Sequence, residues 1–149
     1  MSIYRVEKLE CPVTLFLSDG LVREGVVFLS PLSALHSGGQ TLLEFCNEPA
    51  PFIPFRKSDG AFSLINKATV SHLRFQPAQA SPAIGHPLEV RMVFLGGEVL
   101  TGRLILAAPE GKERLQDFIN DQHGFFHLDC GGAHYLVNPQ LICDIAPLA

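Results

Sequence analysis

The sequence predicts a mainly β protein in which one small unit, about five strands and one short helix, occurs twice in tandem. Three observations carry this. Apolar residues alternate with polar ones through several short runs, as half-buried strands require. Those runs are punctuated by Asp-Gly and Gly-Gly turns. The same ordered set of blocks then returns in the second half of the chain.

Val13, Leu15 and Leu17 alternate with Thr14, Phe16 and Ser18, which predicts a first strand. Asp19-Gly20 predicts a hairpin turn, because both residues tolerate positive φ. The partner strand runs from Val22 to Leu29, with Gly25 placed for a sharp bend. TLLEFCN predicts a short helix before the third strand, with Asn47 ending it in the left-handed conformation. A second hairpin follows in PFIPFRK, Ser58-Asp59-Gly60 and AFSLIN, and ATVSHLRF closes the unit as a strand.

The second half repeats this plan. VRMVFLGGEVLTGRLIL, from Val90, matches VTLFLSDGLVREGVVFL, from Val13, at an offset of 77, with Gly20/Gly97 and Gly25/Gly102 in register. RLQDFIN matches TLLEFCN at an offset of 73, bringing Asn120 onto Asn47. HYLVNPQLICDI matches FSLINKATVSHL at an offset of 72, through Leu64/Leu136, Asn66/Asn138, Val70/Ile142 and Leu73/Ile145. The falling offset shortens the connections, which absorb length changes more readily than paired strands do. Leu115, Phe118 and Ile119 lie at i, i+3 and i+4, one face of a helix. The units therefore span 1–76 and 88–149, joined by a Pro/Ala linker over 77–87. Each is near the lower size limit for a self-sufficient core, so the two halves are expected to pack together.

The first block resembles the Sm1 motif in Val13, Leu15, Leu17, Asp19, Gly20 and Gly25. The last resembles Sm2 in Leu64-Ile65-Asn66-Lys67, Val70 and Leu73. The chain thus resembles a tandem Sm-like (LSm-type) protein. The resemblance implies two five-stranded barrels, each with a short helix inserted before the third strand, and assembly into rings. In such rings the last strand of one unit pairs with the fourth strand of its neighbour, so two units in one chain would satisfy one edge internally. RNA-binding members use an Arg-Gly pair in Sm2. The matching pairs here are Asn66-Lys67 and Asn138-Pro139, which lack the stacking guanidinium.

Composition excludes several functions. The net charge of −4 sits in the second half, because residues 1–80 hold seven Lys/Arg and seven Asp/Glu while 81–149 hold four and eight. Arg56-Lys57 is the only adjacent basic pair, so no phosphate-binding stripe exists and RNA is disfavoured. No apolar run approaches the ~20 residues of a membrane span, and the start lacks a secretory apolar core. Cys11, Cys46, Cys130 and Cys143 have no metal-type spacing and fit reduced, mostly buried thiols of a cytoplasmic protein. Charged residues make up only 17%, which leaves apolar surface to be covered between halves or between chains.

The chemistry-bearing candidates are few. Arg56 and Lys57 with Phe52, Phe55 and Phe62, together with Asn66 and Lys67, form the nucleic-acid candidate. His127, Asp129 and His134 form the metal candidate. Pairing across the Gly131-Gly132 turn puts these three on one strand face, with Cys130 facing away and Phe55, Lys57 and Phe62 at their positions in the first unit. No catalytic constellation or cofactor motif emerges. The sequence therefore predicts a non-enzymatic Sm-like interaction module that binds itself or another protein. The alternatives are an RNA-binding Sm-like protein and a small metal-dependent or thiol enzyme on the second-unit hairpin.

Overall fold

The computed structural model describes residues 8–77, 84–107 and 112–148, leaving aside the side chains of 112 and 113. The first unit runs β1 (Leu9–Leu17), β2 (Val22–Leu29), α1 (Leu42–Cys46), β3 (Phe52–Lys57), β4 (Phe62–Asn66) and β5 (Val70–Phe75). The second runs β6 (His86–Phe94), β7 (Val99–Leu106), α2 (Lys112–Asn120), β8 (Phe126–Asp129), β9 (His134–Val137) and β10 (Ile142–Pro147). A single 3-10 turn precedes the last strand of each unit, at Lys67–Thr69 and Pro139–Leu141. Every expected element is present in the expected order, and so is the repeat.

The alternation that predicted β1 is the one that buries it: Val13, Leu15 and Leu17 are core residues, while the residues between them are more exposed. The turn after β1 is closed by Asp19, whose carboxylate accepts from Leu21 N, with Gly20 at φ +87°. Gly25 serves a different purpose. A Cβ there would lie 2.1 Å from the Arg56 carbonyl, so only glycine lets β2 and β3 approach; Gly102 meets the Asp129 carbonyl in the same way. α1 begins with a reciprocal capping box between Thr41 and Glu44. Asn47, which ends it, has φ −97°, and no described residue other than glycine has positive φ. The left-handed helix end expected at Asn47 is therefore corrected, because this asparagine is held by a long-range contact instead.

The ten strands form one open antiparallel sheet, in the order β10-β6-β7-β8-β9-β5-β1-β2-β3-β4. Each unit contributes a contiguous half, but the halves are joined, so the sheet does not divide into two closed barrels. The reason lies in hydrogen bonding: β5, which would otherwise be an edge, takes β9 as its second neighbour. The last two residues expected in the linker lie in a strand. His86 and Pro87 already belong to β6, opposite Leu106 and Ile105, while residues 78–83 lie outside the described residues.

Two apolar clusters form the core, and each borrows from the other unit. The first is centred on Leu15, Val27, Phe55 and Leu73 and includes Phe125 and Leu136. The second is centred on Val90, Met92, Leu104 and Leu128, with Phe16 packed against it. Each fully buried Leu or Val contributes roughly 1.5–3 kcal/mol, so residues that seal both clusters couple the two halves energetically.

Candidate functional site

The most elaborate chemistry lies at the seam where β5 meets β9. Leu73 sits opposite Leu136 and His72 opposite Val137, all of them at or near zero exposure. Asparagines fasten both flanks. Asn138 donates its backbone N–H to Ser71 O at 2.9 Å and its side-chain amide to Val70 O at 3.1 Å. Asn47 reaches across in the other direction, accepting from Phe125 N at 2.7 Å and donating to Phe125 O at 3.2 Å. Its amide therefore pairs with a main chain as a strand neighbour would.

His72 is enclosed by the rings of Phe16 and Phe94, with centroids at 4.5 and 4.6 Å, and by the edge of Tyr135. Ser71 Oγ donates to Phe16 O, so it accepts from Nδ1–H of His72 at 2.9 Å. That tautomer leaves Nε2 a bare acceptor, 3.2 Å from Glu98 Oε2 and without hydrogen-bonding geometry toward it. Burial pushes the His72 imidazole down from 6.5 to about 4 and holds the Glu98 carboxyl above its usual range. Serine, histidine and glutamate side by side resemble a nucleophilic triad in composition. Here the serine and histidine are 3% and 0% exposed, out of reach of a substrate.

A cleft of ≈ 550 Å³ opens beside this seam, between the two units. Its walls include Asn47, Asn66 and Lys67 from the first unit and His123, Phe125 and Asn138 from the second. It therefore brings the two matched asparagines of the repeat to one place. Lys67 is turned to the Glu48 carbonyl.

The nucleic-acid set is split. Asn66 and Lys67 line the cleft, whereas Arg56 lies at the far end of the β3–β4 hairpin, opposite Phe62. Four residues of strand separate the two ends, about 13 Å at the usual rise. Arg56 is ion-paired with Glu10 and lies over the Phe28 ring, and Lys57 closes the 58–60 turn. Of the three phenylalanines beside them, Phe55 is buried, while Phe52 and Phe62 are exposed on the open side of the hairpin.

The metal candidate is brought together in part. Asp129 pairs with His134 in register, and the His127 and His134 rings stack with Nε2 and Nδ1 3.0 Å apart. The Asp129 carboxylate instead accepts from Gly131 N and shapes the turn. Among the described residues no three His, Cys, Asp or Glu side chains gather as a metal would require. Burial, followed by the neighbouring His134, lowers the His127 pKa. The strand pairings also correct the expected counterparts. Ile53 pairs with Ile65 and Phe126 with Val137, so His127 and Asp129 correspond to Pro54 and Arg56, one position earlier than expected. His134 keeps Phe62.

All four cysteines are free; Cys46 is buried, Cys11 and Cys130 half-buried and Cys143 exposed. Burial, with the charges of Asp129 and Glu89, raises the Cys130 thiol to about 11, which leaves it protonated and weakly nucleophilic at neutral pH. Sequence reasoning passed over Ser71, His72 and Glu98. The available signal was the mismatch Ser71/Cys143 and His72/Asp144 between repeats whose apolar positions Val70/Ile142 and Leu73/Ile145 agree. No protein-family model, curated protein or solved structure matches the chain. Among the described residues no helix is long and apolar enough to cross a membrane.

Proposed function

We propose that the chain is a non-enzymatic Sm-like interaction module that takes up a strand from a protein partner at the edges of its sheet. One observation carries this reading: the two units already join by adding β5 to β9, last strand to fourth strand, as the Sm-like resemblance implies for neighbouring units. The pairing is supported on both flanks by asparagine side chains bound to main-chain groups. Main-chain pairing of this kind supplies affinity, and alternate side chains supply specificity. Among the described strands β4 and β10 each have a neighbour on one side only. The sealed Ser71 and His72 and the protonated Cys130 support a role without catalysis.

The RNA reading has one favourable observation, the convergence of Asn66, Lys67 and Asn138 on the cleft. Its charge is weak, since Lys67 is turned to a carbonyl and Arg56 to Glu10. The test is to titrate an extended peptide of alternating apolar residues into isotope-labelled protein. Shifts confined to β4 or β10 amides are the expected result. Tight, salt-sensitive retention of poly-U or poly-A on a filter, with no peptide response, would replace this reading with the RNA one.

A further inference from the structure

The geometry points to a second role for the β8–β9 hairpin: His127 and His134 form a two-imidazole chelate for a divalent late transition-metal ion, which fastens β8 to β9 beside the seam. This role is independent of strand uptake at the sheet edges.

Ligand spacing is the first support. His127 sits opposite Leu136 and Asp129 opposite His134, so the two histidines are diagonal neighbours on one face of the hairpin. Their rings stack with centroids 5.2 Å apart, and His127 Nε2 lies 3.0 Å from His134 Nδ1. With metal–nitrogen bonds of about 2.0–2.1 Å, two imidazoles on one ion hold their ligating nitrogens roughly 2.8–3.4 Å apart, between a right angle and the tetrahedral angle. The pair already has that bite. As a hydrogen bond the same contact needs one protonated nitrogen and one bare one. On binding, the donating ring moves that proton to its other nitrogen. Both imidazoles stay neutral, and both facing lone pairs go to the ion.

Position is the second support. His134 lies between Asp129 on β8 and Phe75 on β5, opposite each in register. The Phe75 ring, contributed by the first unit, packs against both imidazoles with centroids at 6.2 and 6.1 Å. His127 is exposed, so the ion has access from solvent. The Asp129 carboxylate shapes the turn and is not a ligand, but its charge acts on His127 and offsets part of the charge that a dication brings. Two protein ligands leave the remaining positions to water, which makes the ion exchangeable. Imidazole ligands select Ni²⁺, Cu²⁺ and Zn²⁺ over Mg²⁺ and Ca²⁺, with Cu²⁺ the tightest.

The consequence falls on β8. This strand pairs with β9 along its whole length but with β7 only between Asp129 and Arg103. An ion on His127 and His134 ties it to the strand that also pairs with β5. The first unit has Pro54 and Phe62 at the matching places, so the site belongs to the second unit alone.

The experiment titrates Ni²⁺, which is paramagnetic and leaves thiols unoxidised, into the isotope-labelled full chain at neutral pH. The ring signals of His127 and His134 should broaden together, at one ion per chain and ahead of the exposed His86 and His123. Mg²⁺ should leave all four unchanged. His127→Gln should weaken Ni²⁺ binding several-fold, to the level of a lone surface imidazole such as His86. Saturating Zn²⁺ should raise the melting midpoint of the wild type and leave that of His127→Gln unmoved. His134→Gln should behave alike; if its metal-free melting curve shows lost packing against Phe75, His127→Gln, at an exposed position, decides alone. Broadening of His86 or His123 first, broadening of only one of the pair, or unchanged Ni²⁺ affinity in His127→Gln would overturn the chelate and leave an ordinary hydrogen bond between two rings.

Discussion

The last strand of each unit is built on the same pattern, yet β5 and β10 face different surroundings. Along β5, Ser71 and His72 are enclosed and Phe75 lies against His127 and His134. Along β10 the same positions hold exposed Cys143, exposed Asp144 and Pro147. A strand permanently covered can carry an aromatic ring and a neutral imidazole. One that meets water carries a carboxylate and a proline, devices that restrain indiscriminate strand addition. The two matched strands thus differ in composition in the way their coverage differs.

Substitutions at matched positions should separate the two environments. The largest difference is expected between Leu136→Ala and Leu64→Ala. Leu136 is 1% exposed in the first core cluster, so its truncation should cost about 2–5 kcal/mol by chemical denaturation. Truncating Leu64, which is exposed on β4, should change stability by no more than about 0.5 kcal/mol. Equal losses would mean that β4 is as covered as β9.

Next in size is the pair Asn47→Ala and Asn120→Ala. The first leaves the Phe125 main-chain groups without partners and should cost about 1–3 kcal/mol. The second, at an exposed asparagine, should be nearly neutral. Similar melting shifts for the two would show that Asn47 does nothing special at the seam.

The pH dependence follows from His72. Its pKa in the folded chain, about 4, lies below its ordinary value of 6.5. Between those values the unfolded chain binds a proton that the folded chain does not, so stability is lost as pH falls through that window. His127, also lowered, adds in the same direction. Glu98, raised by burial, acts in the opposite sense and moderates the slope. Denaturant midpoints measured across this range should fall toward acid in wild type and less in His72→Phe; parallel slopes would remove His72 from the account.

The smallest effect concerns the bare Nε2 of His72. Glu98→Gln offers it an N–H donor in place of a carboxylate and should raise stability at neutral pH by about 0.5–1.5 kcal/mol. A loss of stability would show that the carboxylate is protonated and already donating to the imidazole.

The strands were legible because each unit is half-buried, and Val13, Leu15 and Leu17 record that in their alternation. The repeat was legible because glycines such as Gly25 and Gly102 stand where two backbones touch. The joining of both halves through β5 and β9 was legible only through the resemblance and not in the local residue pattern. Pairing partners are chosen by main-chain groups, which every residue but proline carries alike. The face shared by His127 and His134 followed from turn geometry. The loss of Asp129 to the turn depended on a competition between a local N–H and distant imidazoles, and the local donor won. Asn47 was visible as a repeated residue. Its partner Phe125, 78 positions away, lay beyond any local pattern.

The covalent run from β5 into β6 has a consequence for dilution. Because both strands of the seam belong to one molecule, β5 meets β9 without recruiting a second chain. That contact is indifferent to how much protein is present. A strand taken up at β4 or β10 from a separate molecule obeys mass action, so only those edges register how much partner is present.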